Sequence, residues 1–192
     1  MYPAGNLFIT APHGRIEAVL KEAHGAAARG VALRLQPHPL HGGTMHNKVV
    51  FRTARGLGDA GLVTLRINFR GVGHSTGAHD HARGGEQEDV RLALDYLTGK
   101  YPNLPVFLAG FSFGARVGLE VGTHDARVNY LAGVGTPVSI KERDYDFSFL
   151  DECRKPLLLV QGDRDEVGSV PELQAFAARP PPDCRAQVKV IP

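Results

Sequence analysis

The pattern Gly-x-Ser-x-Gly occurs twice in this chain, at residues 73–77 and at residues 110–114. A serine in this pattern can act as a nucleophile when it stands on a tight turn between a strand and a helix. Only glycines fit beside it, because the turn leaves almost no room for side chains. An apolar, strand-like run at residues 106–109 leads into Ser112, and a helix-compatible run begins at Phe113. We therefore predict that Ser112 is a nucleophile.

The other copy of the pattern lacks this context. Its loop begins after Phe69, and residues 78–85 after it are rich in histidine and glycine and show no helical periodicity. We expect Ser75 to be a loop serine that hydrogen-bonds to the backbone.

A serine hydroxyl becomes a good nucleophile when a base takes its proton, and the base is usually oriented by a carboxylate. In this kind of site the acid follows the serine in the chain, on the loop after a later strand. The apolar run at residues 157–161 leads into Gly162-Asp163-Arg164-Asp165. Both Asp163 and Asp165 are candidates for the acid.

The oxyanion formed during acyl transfer needs backbone N–H donors. One donor is expected from Phe113, the residue after the nucleophile. The other is expected from the turn after the strand-like run at residues 31–36. Proline has no N–H, so Leu40 supplies the first free amide after Pro39, with His41 as the alternate donor.

Strand-like and helix-like segments alternate along the chain, which predicts an α/β fold with a mostly parallel, doubly wound sheet. A turn at Pro12-His13-Gly14 predicts an antiparallel N-terminal hairpin. The expected strands are residues 7–10, 15–21, 31–36, 62–69, 106–109, 128–134, 157–161 and 188–191. The expected helices are residues 45–60, 86–98, 113–122 and a short one opened by Pro171.

Composition and charge point to an ordinary globular domain. The chain has 192 residues, 43% of them hydrophobic and 22% charged, with a net charge of +2. The basic residues are scattered and no apolar run could span a bilayer, so neither nucleic acid nor a membrane is an expected partner. Two cysteines and the lack of a signal peptide predict a cytoplasmic protein. Nothing in the sequence indicates the oligomeric state.

Two further kinds of site were considered and are not expected. A dinucleotide loop would need a glycine one residue earlier than Gly77, and a helix after it. Two groups of histidines could bind a metal, but no carboxylate or cysteine spacing supports a defined site. These groups are His38, His41 and His46, and His79 with His81. We therefore expect no metal and no cofactor.

Six stretches that span most of the chain resemble the small bacterial α/β-hydrolases related to dienelactone hydrolases and serine peptidases. They are residues 36–50, 68–77, 84–97, 108–115, 145–150 and 160–167. The resemblance implies an α/β-hydrolase fold of eight strands, the second of them antiparallel, and no cofactor. It implies that Asp165 rather than Asp163 is the triad acid. It also supports Leu40 and Phe113 as the oxyanion donors.

The chain departs from this family at the catalytic histidine, which in the family follows the last strand. All nine histidines, from His13 to His124, precede Asp165. We expect residues 1–192 to form one domain that lacks its C-terminal loop and helix, and the triad histidine to follow Pro192. The alternative is that His38 or His41 has taken over the role.

The motifs together predict a serine hydrolase with a Ser-His-Asp triad and an acyl-enzyme intermediate. Residues 138–156 are too few for a cap domain, and an open site suits small esters, thioesters or lactones. Tyr145, Phe147 and Phe149 are expected to pack on the rim of the sheet, with a role in the acyl pocket as the alternative. A non-catalytic member of the same fold, binding a ligand or partner, is the rival function.

Overall fold

The fold is an eight-stranded sheet with helices on both faces, seen in a computed structural model that describes residues 5–23, 27–138 and 145–192. The strands lie in the order β1-β2-β4-β3-β5-β6-β7-β8. Their bounds are β1 Asn6–Ala11, β2 Gly14–Lys21, β3 Gly30–Leu35, β4 Leu62–Ile67, β5 Val106–Phe111, β6 Val128–Val134, β7 Leu157–Gly162 and β8 Ala186–Ile191.

Strand β2 runs antiparallel to both of its neighbours, β1 and β4. The rest of the sheet, in the order β4-β3-β5-β6-β7-β8, pairs in parallel. This arrangement confirms the expected antiparallel hairpin and the mostly parallel sheet. All the strands from β3 to β8 therefore end at the same edge of the sheet. In open α/β sheets this carboxyl edge is where ligands bind.

Within the described residues, four α-helices connect or follow the strands: α1 Lys48–Asp59, α2 Gly85–Lys100, α3 Phe113–His124 and α4 Val170–Ala177. The same part of the chain contains three short 3₁₀ turns, Pro39–His41, Ser148–Glu152 and Pro182–Cys184. The sequence does not predict them, because they are too short to show a periodic pattern. No helix in the described segments has the length and apolar character needed to cross a bilayer.

The core lies between the sheet and helices α2 and α3. Leu108 and Leu131 point from β5 and β6 toward Gly122 of α3, where a Cβ would meet both side chains. Helix α1 packs against β4 and β3. Leu57 of α1 lies beside Phe107 of β5 and Tyr130 of β6. Side chains alternate between the two faces along a strand, so α1 covers the face of the sheet opposite to α2 and α3.

Helix α1 covers only part of the face of the sheet on which it packs. A groove of about 520 Å³ lies there, lined by Phe107, Tyr130 and Leu158 from β5, β6 and β7, among others. The rings of Phe107 and Tyr130 stack at 4.4 Å. Tyr130 is 42% exposed and Leu158 is 41% exposed, which is unusual for large apolar side chains in the middle of a sheet.

Candidate active site

Ser112 stands on the turn that joins β5 directly to α3. Its backbone angles are φ 52° and ψ −117°, a region that residues other than glycine rarely occupy. The tight turn between a strand and a helix that the motif predicts is therefore confirmed. The turn is held from β6, because the amide of Ser112 donates to the carbonyl of Val134 at 2.9 Å. The serine side chain does not cap its own helix.

The two glycines of the motif are required by backbone packing. A Cβ on Gly110 would collide with the carbonyl of Gly114, four residues along the turn. A Cβ on Gly114 would collide with the carbonyl of Gln36, at the end of β3. The tight turn therefore brings the start of α3 against β3, and this contact fixes the direction of the helix.

Asp165 lies on the loop after β7, at the same carboxyl edge as Ser112. Its amide donates to the Gly162 carbonyl at 3.4 Å, and its Oδ1 accepts from the amide of Val167 at 3.0 Å. The position expected from the sequence is confirmed. Strand β6 separates β5 from β7, so the two strand ends lie about 10 Å apart at ordinary strand spacing.

The two aspartates of this loop face different surroundings. Asp163 is exposed and pairs with the neighbouring Arg164 at 3.4 Å. Asp165 is half-buried, and its Oδ2 lies 3.5 Å from where a Cβ on Gly135 would stand. The same Cβ would touch the ring of Phe111, the residue before Ser112. The carboxylate of Asp165 thus lies on the side of the loop toward Ser112.

An open cleft of about 450 Å³ lies beside Asp165. It is lined by Gly162, Asp163, Arg164, Asp165, Ile191 and Pro192. None of the described histidines lines it.

The two amides expected as oxyanion donors differ in whether they already have a hydrogen-bond partner. Phe113 is the first residue of α3, and the first amides of a helix have no partner within it. The amide of Leu40, in contrast, donates to Nδ1 of His38 at 3.2 Å. The alternate donor is engaged too, because the His41 amide donates to the His38 carbonyl at 3.1 Å.

The expectation of a free Leu40 amide must therefore be corrected. Pro39 opens a 3₁₀ turn, and the side chain of His38 caps that turn by accepting from Leu40. The missing N–H of proline identifies the first available amide, but it does not reveal a side chain that caps the turn.

Ser75 behaves as the sequence predicts for a loop serine. Its hydroxyl donates to the carbonyl of Asn68 at 2.8 Å and accepts from the amide of Glu17 at 2.8 Å. It is only 7% exposed. Its Oγ therefore ties the loop after β4 to strand β2.

Tyr145, Phe147 and Phe149 all pack in or against the hydrophobic core. Phe147 and Phe149 are buried in the core, at 6% and 7% exposure. Phe147 meets Phe176 of α4 edge to face at 4.7 Å, and the Arg116 guanidinium lies over both phenylalanine rings. This favours the packing role over the acyl pocket for these two residues.

A cluster of histidines lies on the other side of Ser112. One ring nitrogen each of His38, His79 and His81 lies within 4.8 Å of the others. Nδ1 of His79 also contacts the buried carboxylate of Glu86 at 2.6 Å. Sequence spacing did not group these residues, because His38 follows β3 whereas the other two precede α2.

The fold is shared with known proteins. A family model described as serine aminopeptidase, S33, matches residues 38–153. The chain belongs to this family. The matched segment contains the Ser112 turn, and the fold is that of the α/β-hydrolases.

Relatives of known sequence or structure extend the match over nearly the whole chain. The uncharacterized protein RP471 of Rickettsia prowazekii is 38% identical over 174 residues, which cover 90% of this chain and 72% of that protein. An alpha-beta serine hydrolase homologue from Coxiella burnetii is 35% identical, with a TM-score of 0.87, covering 99% of this chain and 88% of the other.

A further solved structure bears on the cap. XC6422 from Xanthomonas campestris, described as an α/β serine hydrolase without lid, is 28% identical with a TM-score of 0.84. The match covers 100% of this chain and 86% of that one. In this chain only residues 135–147 lie between β6 and the 3₁₀ turn at Ser148, so the fold has no cap domain. Membership of a serine hydrolase family supports hydrolase activity for this chain.

Proposed function

We propose that this protein hydrolyses small ester substrates, with Ser112 as nucleophile and Asp165 as the acid of a Ser-His-Asp triad. The observation that carries the proposal is the backbone of Ser112, with a φ of 52° between a strand and a helix. Holding a non-glycine residue there costs about 1–3 kcal/mol, and such strain clusters at functional sites. The half-buried carboxylate of Asp165 at the same sheet edge supports the assignment.

We propose that the base of the triad is an imidazole that stands between Ser112 and Asp165, in the cleft beside the acid that Ile191 and Pro192 line. His38 is poorly placed for the role. It follows β3, which lies on the far side of β5 from β7, about 14 Å from the β7 end at ordinary strand spacing.

In the proposed acylation step, the imidazole takes the proton of Ser112 Oγ as this oxygen attacks the carbonyl carbon of the ester. The Asp165 carboxylate accepts a hydrogen bond from the other ring nitrogen and stabilises the imidazolium. The tetrahedral intermediate collapses, the C–O bond to the alcohol breaks, and the imidazolium protonates the leaving alkoxide. Water, deprotonated by the same imidazole, then attacks the acyl-enzyme and releases the acid and the free serine.

The oxyanion of each intermediate is proposed to be held by the amides of Phe113 and Leu40. The Phe113 amide is at the N-terminus of α3, where the helix dipole also favours negative charge. The Leu40 amide must exchange its bond to His38 for a bond to the oxyanion. A charged acceptor forms the stronger hydrogen bond, so the developing oxyanion favours this exchange.

The proposed substrate class follows from the openness of the site. Residues 135–147, the segment where a cap would be inserted, are too few to enclose a long acyl chain. Small esters, thioesters and lactones fit such a site.

The test is hydrolysis of p-nitrophenyl acetate and butyrate by the full-length protein. Wild type and the exposed-serine control Ser148→Ala should turn over with equal kcat/KM. Asp165→Asn should lower kcat about 1,000- to 10,000-fold, as loss of a triad acid does elsewhere, whereas Asp163→Asn should stay within about twofold. Equal losses in the two aspartate variants would contradict the assignment.

The source of the base is tested separately. His38→Ala and His41→Ala should each leave most of the activity. If either variant lowers kcat by about 10,000-fold, as loss of a triad base does, an upstream histidine is the base. A folded protein that binds ester analogues without hydrolysing them would instead indicate the non-catalytic function.

A further inference from the structure

We propose that His38, His79 and His81 form a binding site for a divalent transition metal of the Zn²⁺ type. The three side chains come from two loops at the carboxyl edge of the sheet. His38 precedes the 3₁₀ turn after β3, and the other two lie in the segment between β4 and α2. One ring nitrogen from each lies within 4.8 Å of the other two.

The strongest observation concerns His79. Its side chain is only 6% exposed, and its Nε2 has no hydrogen-bond partner although it is buried. Leaving a buried polar atom without a partner is destabilising, so such an atom needs an explanation. A metal ion bound to Nε2 supplies the missing partner.

The other nitrogen of His79 has the partner that metal-bound histidines usually have. Nδ1 lies 2.6 Å from Oε1 of Glu86, whose side chain is fully buried. Both Glu86 oxygens already accept from backbone amides, Oε1 from Asp80 and Oε2 from Ala82. The carboxylate is therefore an acceptor here and the ring a donor, which leaves a lone pair on Nε2. A carboxylate behind the ring in this way orients a ligand and raises its basicity.

His81 completes the site from an exposed position. Its backbone has a φ of 62°, and that of the following Ala82 has a φ of 60°, a region that residues other than glycine rarely occupy. The ring centroids of His81 and His79 lie 4.5 Å apart. Four-coordinate Zn²⁺ with bonds of about 2.0–2.1 Å needs ligand atoms about 3.3 Å apart. The exposed His81 is the ligand that can move inward by the required distance.

The ligand set selects the class of metal. Three neutral imidazoles suit Zn²⁺, Co²⁺, Ni²⁺ and Cu²⁺, whereas Mg²⁺ and Ca²⁺ prefer oxygen ligands. With three protein ligands, and with His81 at the surface, the fourth position is open to water. The bound ion would join the turn after β3 to the segment before α2, next to Phe113, whose ring lies 4.9 Å from His38 and 5.4 Å from His79.

Metal binding has a consequence for the Leu40 amide. Nδ1 of His38 accepts from that amide at 3.2 Å, so the ring proton is on Nε2. Coordination through Nδ1 removes the acceptor, and coordination through Nε2 moves the proton to Nδ1. In both cases the Leu40 N–H loses its partner. If Leu40 is the oxyanion donor proposed above, metal binding releases that donor; the metal site itself does not depend on this.

The test is metal binding by the tag-free, full-length protein after chelation and dialysis. Isothermal titration with ZnCl₂ should give one ion per chain, Co²⁺ should give the intense visible absorption of four-coordinate cobalt, and MgCl₂ should give no binding. His81→Asn, which keeps a residue tolerant of positive φ, should weaken Zn²⁺ binding by more than about 100-fold. Glu86→Gln should weaken it by about 10- to 100-fold.

The matched control is His46→Ala, because His46 is an exposed histidine on the same edge outside the cluster. It should bind Zn²⁺ as wild type does. Equal affinity in wild type and His81→Asn, equal weakening in His46→Ala, or the weak absorption of six-coordinate Co²⁺ would overturn the proposal. All these readouts are independent of ester hydrolysis. Circular dichroism of each variant checks that it is folded.

Discussion

The two Gly-x-Ser-x-Gly segments have the same sequence pattern, but their serines differ in backbone conformation and in hydrogen bonding. Ser112 has a strained backbone, with a φ of 52°, and its hydroxyl does not cap the helix that follows. Ser75 is 7% exposed, and its hydroxyl makes two hydrogen bonds, each 2.8 Å long, to the backbone. The difference is that the Ser112 backbone is strained at the carboxyl edge of the sheet, whereas the Ser75 hydroxyl satisfies buried backbone groups of Glu17 and Asn68. The pattern alone does not assign a function; its position between a strand and a helix does.

The largest expected effect is on activity. Ser112→Ala should lower kcat/KM for a p-nitrophenyl ester by about 10,000-fold or more, because the nucleophile is lost while the binding groups stay. Ser75→Ala should keep the wild-type kcat/KM per folded molecule. The measurement is steady-state hydrolysis, with the active fraction determined for each protein. Loss of activity in folded Ser75→Ala would remove the distinction between the two segments.

A smaller effect is expected on stability: replacing each serine by glycine should change the free energy of unfolding in opposite directions. Ser112→Gly should raise the free energy of unfolding by about 1 kcal/mol, because glycine relieves a strain of about 1–3 kcal/mol and loses part of the gain to its own chain entropy. Ser75→Gly should lower it by about 1–3 kcal/mol, because the Glu17 amide and the Asn68 carbonyl lose their buried partner.

Urea denaturation of both glycine variants measures this pair of changes. A change of the same sign at the two positions would mean that Ser112 is not strained in solution.

The smallest expected effect concerns the acid sensitivity of the Ser75 loop. Burial alone would raise the pKa of Glu17, but hydrogen bonds from the amide and ring of His74 and from Asn68 outweigh it, and the net pKa lies below the ordinary value of 4.5. A carboxyl with a depressed pKa in the folded state stabilises the protein above its unfolded pKa. This contribution is lost as the pH falls through the lower, folded value.

We therefore expect the free energy of unfolding of wild type to decrease below about pH 4.5 more steeply than that of Glu17→Gln. Denaturation of both proteins between neutral and acidic pH measures the difference. Parallel curves would show that the Glu17 carboxylate does not stabilise the loop.

The sequence predicts those features that depend on local pattern. Apolar runs and glycine turns located all eight strands, and the context of Ser112 located the elbow. The ends of the α-helices are predicted to within a few residues. Helix α2, for example, spans Gly85–Lys100 instead of the expected residues 86–98. The placement of Asp165 came from the resemblance to a family, since the residues alone left Asp163 open.

The features that were missed depend on contacts between distant segments or on side chains that bond locally to the backbone. The bond from the Leu40 amide to His38 is a local cap that the proline count did not reveal. The cluster of His38 with His79 and His81 depends on the folded sheet bringing two loops together. Sequence spacing carries no signal for the bond from Leu40 to His38. For the histidine cluster the only local signal is Glu86, which closely follows His79 and His81 in the chain.

The central claim, that Ser112 is an activated nucleophile, is tested most directly by covalent labelling. The full-length protein is treated with a small fluorophosphonate, which phosphonylates activated serines, and then measured by intact mass and peptide mapping. We predict one adduct per chain, located on Ser112, absent from Ser112→Ala and unchanged in Ser75→Ala. A folded, unlabelled protein, or an adduct on a serine other than Ser112, would contradict this account.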